Sequence, residues 1–311
     1  MRSAAAVLTL ALPGALLGAW ASDAAAPARP VPQIAGCPVF TPSDAFNRDV
    51  SALPVHARSA DWVRSIGTSR RLHPDFGSGS FGNYGIPITV AARGQRRVPV
   101  RYDAYGAESD PGPFPIPPAA RIEGGSDRHV LVVQRGTCRL VELYGARRAG
   151  AGWVAESGAT WSLRAPRARP AGWTSADAAG LPILPGLARP DEASSTAIRH
   201  ALRFTVPRTQ RAYLAPARHA ASRDADPALP PMGARLRLKA GYPLTGLRGQ
   251  ARAIAVALKR YGMIVADNGS PWFVSGAADR RWDDAEIDAL KTIPGTAFEA
   301  VDTGARLVRV R

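Results

Sequence analysis

Four short runs, at 129–134, 138–144, 152–157 and 160–163, follow one another with little but turn residues between them. Each has the length of a short strand, in which successive side chains point to opposite faces. Arg135-Gly136-Thr137 reads as a tight turn and 145–151 as a longer hairpin tip. Such a series folds as an antiparallel meander, and it rules out the long amphipathic helices of a bundle. Further strands are expected at 86–91, 97–103, 199–206, 212–215, 234–240 and 306–310. Asn268-Gly269, between runs at 263–267 and 272–275, is the strongest short hairpin signal in the chain. One good helix is expected at 250–261, where Ala251, Ile254, Ala255 and Leu258 share a face and Gly262 follows. Shorter helices are expected at 59–66 and 284–291. No βαβ alternation and no phosphate-binding glycine motif is present. The expected fold is mainly β: an antiparallel β-sandwich or jelly-roll-like body with two or three short helices.

The N-terminus reads as an address. Met1-Arg2, an apolar stretch at 4–18 and small-x-small sites at Ala19-Trp20-Ala21 and Ala24-Ala25-Ala26 have the layout of a secretory signal peptide. Residues 1–26 are therefore expected to be a signal peptide, 27–36 a Pro/Ala linker and 37–311 a single β-rich domain. No apolar run reaches the roughly 18–20 residues that span a membrane. Secreted or periplasmic localisation follows. The chain has two cysteines, Cys37 and Cys138. Ile34-Ala35-Gly36-Cys37 looks like a lipobox, but Asp23, Arg29 and three prolines separate it from the apolar stretch. In an oxidising compartment the pair is expected to join as a disulfide.

The formal charge is +15 over 311 residues, and arginine supplies nearly all of the cations. Such a field attracts polyanions. The arginines are dispersed, however, and no zinc finger, helix-turn-helix or aromatic-interleaved basic motif appears, which argues against nucleic acid. On the expected strand at 234–240, Arg235, Arg237 and Lys239 alternate with Leu236, Leu238 and Ala240; Arg199 and Arg203 form a similar ridge. Two readings stand: a solvated outer face, or a basic track for an anionic polymer. Trp153, Trp161, Trp173, Trp272 and Trp282 are either core residues or sugar platforms.

The candidate chemistry lies around His129. Glu123-Gly124-Gly125-Ser126-Asp127-Arg128-His129 leads into an apolar run. If the strand begins there, Asp127 and His129 share a face, and a carboxylate beside an imidazole suits general acid–base work. A turn closed by Asp127 is the alternative. Glu142, on the face of Cys138, Leu140 and Tyr144, is a buried acid with a raised pKa if that face points inward, and an ordinary surface acid if it points outward. His200 lies on the apolar face of its run with Leu202 and Phe204, either as core or lining a cleft. The candidates are thus His129, Asp127, Glu123 and Glu142 for catalysis, and His200, Arg203, Arg237 and Trp173 for substrate. No histidine spacing suggests a metal, and no cofactor is expected.

Several strings resemble a group of secreted, functionally uncharacterised proteins of soil bacteria. They are Cys37-Pro38-Val39-Phe40, the Glu123–His129 stretch, Gly180-Leu181-Pro182-Ile183-Leu184-Pro185-Gly186-Leu187, Ile198-Arg199-His200-Ala201-Leu202-Arg203-Phe204 and Tyr261-Gly262-Met263-Ile264-Val265-Ala266-Asp267-Asn268-Gly269-Ser270. The resemblance implies secretion and a single domain, and transfers no catalytic residue. The functional expectation is a secreted protein that acts on or binds extracellular polysaccharide, with an anionic chain in view, as a hydrolase or lyase. The competing readings are a non-catalytic cell-envelope or adhesion module and, more weakly, a nuclease or nucleic-acid binder. Oligomeric state is not readable.

Overall fold

The structure is a computed structural model that describes residues 1, 30–80, 84–165, 167–195 and 197–310. The expected signal peptide and Phe81 of the glycine-rich loop at 73–85 lie outside the described residues. Strand outweighs helix, 28% to 16%, so the fold is mainly β and sandwich-like, as the short runs predict.

A four-stranded sheet runs in the order β10 (Ser157–Ser162), β7 (Arg139–Tyr144), β6 (Val130–Gln134), β4 (Ile88–Ala91). β6, β7 and β10 supply three of the four strands of the expected meander, antiparallel throughout, while the strand expected at 152–157 pairs elsewhere. The chain between β7 and β10 leaves the sheet. Its hairpin, β8 (Arg147–Ala149) and β9 (Gly152–Ala155), joins β5 (Val100–Tyr102) in a separate three-stranded sheet. A six-stranded sheet runs β16 (Phe298–Ala300), β13 (Arg235–Leu238), β14 (Met263–Asn268), β11 (Leu202–Val206), β15 (Phe273–Ser275), β3 (His73–Asp75). Two small pairs, β1 (Gln33–Ile34) with β2 (Cys37–Pro38) and β12 (Ala212–Leu214) with β17 (Leu307–Arg309), complete the strands described. The helices described are α1 (Ser59–Ile66), α2 (Pro190–Ser195), α3 (Gly249–Arg260) and α4 (Asp284–Asp288), one or two more than expected.

Pairing departs from a purely antiparallel sandwich. β4 with β6, β5 with β9, β11 with β14 and β15 with β3 are parallel. The Asn268-Gly269 hairpin also fails to close. β14 and β15 both bond to β11, which lies between them. Gly269 N donates to Val206 O at 2.9 Å and the Thr205 hydroxyl to Ser270 O at 2.6 Å, so the turn residues wrap the end of β11.

Both faces of the four-stranded sheet are covered, which is why Val130–Val133 read as one unbroken apolar run. Val130, Val132, Val141 and Leu143 pack with Phe114, Ile116 and Trp153 in a smaller core. Leu131, Val133, Leu140 and Trp161 face the larger core, shared with Leu202, Phe204, Leu236, Leu238 and Val265 of the six-stranded sheet and with Ile254 and Leu258 of α3. Irregular chain fills the space between the two sheets. Residues 181–190 are all buried. Glu142 of β7 accepts hydrogen bonds from Ile183 N and Leu184 N on one side of this segment. On the other side Gly186 lies against Arg203 of β11, where an added Cβ would come within 3.0 Å of the arginine's own Cβ. Cys37 and Cys138 form a disulfide that ties the β1–β2 pair to the turn between β6 and β7. A bonded Cys37 has no free thiol for a lipid, so the lipobox reading does not apply to this form. No described helix is long and apolar enough to cross a membrane.

Candidate functional site

The interlayer segment delivers one carboxylate to the six-stranded sheet. The Ser175 hydroxyl donates to Leu181 O at 2.6 Å and accepts from Asp177 N at 2.9 Å, which closes a tight loop. Asp177 then projects to Arg203, whose Nε donates to Asp177 Oδ2 at 3.1 Å. One Arg203 terminal nitrogen donates to Ser275 Oγ on neighbouring β15 at 2.7 Å. Burial opposes the charge on Arg203, but Asp177 and Asp267 outweigh it and hold the guanidinium cationic.

Asp267 and Asp75 arrive by strand order. Asp267 lies near the end of β14, beside β11, and Asp75 ends β3 in register with Ser275. Burial and then the neighbouring charge of Asp177 push the Asp267 carboxyl up to about 6. Burial and then Glu123 raise Asp75. From the other sheet comes His129, immediately before β6. Its Nδ1 and backbone N both face Glu123 Oε2, the latter at 3.1 Å, and its Nε2 lies 3.1 Å from Ala176 O. Both ring nitrogens face acceptors, an arrangement that favours the doubly protonated ring. Burial works against that charge, but the Glu123 hydrogen bond and carboxylate raise the His129 pKa overall.

Five carboxylates (Asp75, Glu123, Asp127, Asp177 and Asp267) therefore act electrostatically on one another around two cations, Arg203 and His129. The local charge is negative although the chain is strongly basic. Two recesses open beside the cluster. Ile122 and Gly124, on either side of Glu123, line a groove of about 1090 Å³ with Gly77, Tyr84, Gly85 and Trp282. Asp75 lines a second recess of about 750 Å³ with His73 and Phe273. Tyr84 borders both and is 55% exposed. A carboxyl whose pKa is raised toward neutrality beside ionised neighbours is the pairing that acid–base chemistry uses.

The structure brings together three of the residues singled out from sequence, His129, Glu123 and Arg203. Asp127 is nearby but exposed and accepts from the Ser126 hydroxyl at 3.0 Å. It is Glu123 that pairs with His129, because the strand begins at Val130 and Arg128 adopts a left-handed φ of 48°, which breaks the expected shared face. Among the described residues Glu142 shares no hydrogen bond with the cluster, although, after burial, the charge of Asp177 contributes to its raised pKa. It is fully buried, and Trp161 Nε1, Ile183 N and Leu184 N occupy its carboxylate at 3.1, 3.0 and 2.9 Å. Burial pushes it up to about 7 against these donors. Its position is that of a clamp on the interlayer segment. His200 is fully buried, with Nδ1 2.8 Å from Ala201 O and Nε2 3.1 Å from Glu192, which also pairs with Arg189 at 2.6 Å.

The basic sheet face does not form. Arg235 and Arg237 are buried, because residues 44–53 cover that side of β13. Arg235 donates to Ala45 O at 2.9 Å. Arg237 donates to Val50 O, Ser51 O and Leu53 O and pairs with Glu299. Lys239 remains exposed and donates to Thr296 O. Of the candidate sugar platforms, Trp153, Trp161, Trp272 and Trp282 are core residues. Trp173 is half-buried, with the Arg169 guanidinium 5.5 Å from its ring centroid.

Sequence reasoning passed over Asp75, Asp177 and Asp267. Asp267 carried the one available signal, an acid directly after the apolar run Met263–Ala266, although Asn268-Gly269 offered a turn to explain it. Among the described residues no group of three or more His, Cys, Asp or Glu is placed to hold a metal ion. No protein-family model, curated protein or solved structure matches this chain.

Proposed function

We propose that this is an exported protein that hydrolyses an extracellular polysaccharide by acid–base chemistry at the Arg203–His129 cluster. The observation that carries the reading is the cluster of carboxylates around Arg203 and His129, in which Asp267 is raised to about 6, Asp75 lines one open recess and Glu123 is flanked by two residues that line another. Glycoside cleavage needs one protonated and one ionised carboxyl across the bond, and environments that push two carboxyl pKa values apart supply them. In this role Asp267 is the acid, and Glu123, held by His129, is the carboxylate. Tyr84 is the exposed aromatic on which a sugar ring stacks. The disulfide and the signal-like N-terminus support export. The acidic surroundings favour a neutral or amino-bearing chain at this site over a uronate, because a carboxylate on the substrate would meet like charge.

The test incubates purified mature protein with neutral glucan, chitosan, pectate and alginate and measures new reducing ends. Neutral glucan or chitosan should be cut, with activity falling as pH rises through about 6. Asp267→Asn and Glu123→Gln should each lose roughly 100-fold or more in rate while remaining folded at the assay pH. A cluster variant as active as wild type overturns the assignment. Glycan binding without cleavage, indifferent to both substitutions, selects the adhesion-module reading instead.

A further inference from the structure

The four-stranded sheet carries a second polar site at its opposite end. His129 precedes β6 and Gln134 ends it, so the two ends lie roughly 16 Å apart along an extended strand. At the far end Gln134, Arg139 and Ser162 are adjacent across three strands. With Arg97, Thr137, Thr160 and Arg167 they line a pocket of about 380 Å³.

Its charge is one-sided. Arg97, Arg139 and Arg167 all line it, and no Asp or Glu does. Among the described residues none of the three arginines has an ion pair, and none of their guanidinium groups makes a hydrogen bond, in contrast to buried Arg169, Arg203 and Arg237. Two acids among the described residues touch lining residues, and both are engaged elsewhere: Glu142 accepts from Trp161 Nε1 at 3.1 Å and from the backbone of Ile183 and Leu184, and the other is Asp110. It accepts from Thr160 N at 2.7 Å and the Thr160 hydroxyl at 3.0 Å, and it pairs with Arg169 at 3.3 Å. The Ser162 hydroxyl accepts from Ala165 N at 3.3 Å, which leaves its proton free to be donated into the pocket. Arg139 is half-buried, so its field is less screened than that of a surface arginine.

We propose that this pocket binds a tetrahedral oxyanion, a phosphate or sulfate ester group, through Arg97, Arg139 and Arg167 with the Ser162 hydroxyl as a further donor. A carboxylate is planar, carries one charge and is satisfied by a single bidentate guanidinium. Three arginines lining one pocket exceed that need and match an anion with more charge and oxygens pointing in several directions. The site is independent of the acid–base cluster and has the opposite sign. It is also where the anion preference implied by the basic composition resides, since the strand arginines are turned inward.

The experiment is calorimetric titration of the full mature protein with inorganic phosphate, inorganic sulfate and acetate at constant ionic strength, and with dextran sulfate against dextran. Wild type should bind phosphate or sulfate and not acetate. Arg97→Ser, Arg167→Ser and Arg139→Gln should each weaken that binding about tenfold or more. Arg309→Ser, an equal charge loss at an exposed site on β17, should leave it unchanged. Arg97 and Arg167 are exposed and unpartnered, so their variants keep the fold. Dextran sulfate bound more tightly than sulfate, with the same dependence on the three arginines, places the ester on a polymer; equal affinity places it on a free anion. The proposal falls if wild type binds neither oxyanion, if acetate binds as well, or if Arg309→Ser costs as much as the pocket variants.

Discussion

Replacing Arg237 separates a structural from a ligand-binding role for the arginines of β13. Arg237 is 8% exposed and donates to Val50 O, Ser51 O and Leu53 O at 2.6, 3.0 and 2.9 Å. It also pairs with Glu299 at 2.8 Å, and the glutamate side chain is 17% exposed. Arg237→Ser removes all four contacts and leaves a mostly buried carboxylate without its cation. Breaking a buried pair costs about 3–5 kcal/mol. The partial exposure of Glu299 places this pair toward the lower end, and the orphaned carbonyls add about 1 kcal/mol each where water does not reach them. A loss of about 4 kcal/mol is expected, a large fraction of a typical domain's 5–15 kcal/mol. The melting temperature should fall by roughly 10 °C. Urea denaturation followed by tryptophan fluorescence measures the loss. Arg237→Met/Glu299→Leu should recover part of it, since no unpaired charge is then buried. A single Arg237→Ser variant within about 1 kcal/mol of wild type would refute the structural role. If that variant also lost affinity for an acidic polymer, the outer-face reading of the strand would return.

Reducing the Cys37–Cys138 bond, which joins positions 101 residues apart, should lower stability by about 4–5 kcal/mol through the freed loop entropy of the unfolded chain; identical urea midpoints for oxidised and reduced protein would contradict this. Asp267 carries a pH signature. Its folded pKa of about 6 lies above its ordinary 3.8, so the folded state holds this proton more tightly than the unfolded chain. That stability is fully present below about pH 4 and is lost as pH rises through 6, by about 3 kcal/mol in all. Asp267→Asn should therefore be more stable than wild type at pH 8, with the gap closing toward pH 4; parallel stability profiles would show that the carboxyl is not perturbed.

The strands were legible where their information is local. β6, β7 and β10 overlap the short runs that the sequence marks off between its turns, because strand length and turn residues are properties of the local chain. Partner choice is not local. The hairpin at 147–155 pairs with β5, some fifty residues earlier in the chain. Asn268-Gly269 has the residues of a two-residue turn, yet β11 lies between the strands it would join. Turn chemistry states that the chain reverses; it does not state what else competes for the same strand edge. The β13 arginines failed for a related reason. Alternating Arg and Leu describes a two-faced strand, and solvent is the usual environment of the polar face. Here that face meets backbone carbonyls of residues 50–53, and any sequence in irregular chain presents carbonyls, so no residue pattern announces them.

The candidate site follows the same division. Glu123 and His129 are six residues apart and both stood out as candidates, although the pairing expected was Asp127 with His129, while Asp75, Asp177 and Asp267 meet them only through the sheet order β14-β11-β15-β3 and the segment laid between the sheets. Net charge was the least local clue of all, and it pointed to an anionic ligand at the strand arginines. A field decays over roughly 8–10 Å at physiological salt. Within that radius of Asp267 the charges that act are the cluster's own, and these are mostly carboxylates. At the other end of β6, roughly 16 Å from His129, they are the arginines of the far pocket. Each site therefore sees its own sign, nearly independent of the other and of the total of +15. Salt should consequently weaken oxyanion binding at the Arg139 pocket while leaving the buried Asp177–Arg203 pair, and the chemistry it positions, almost untouched.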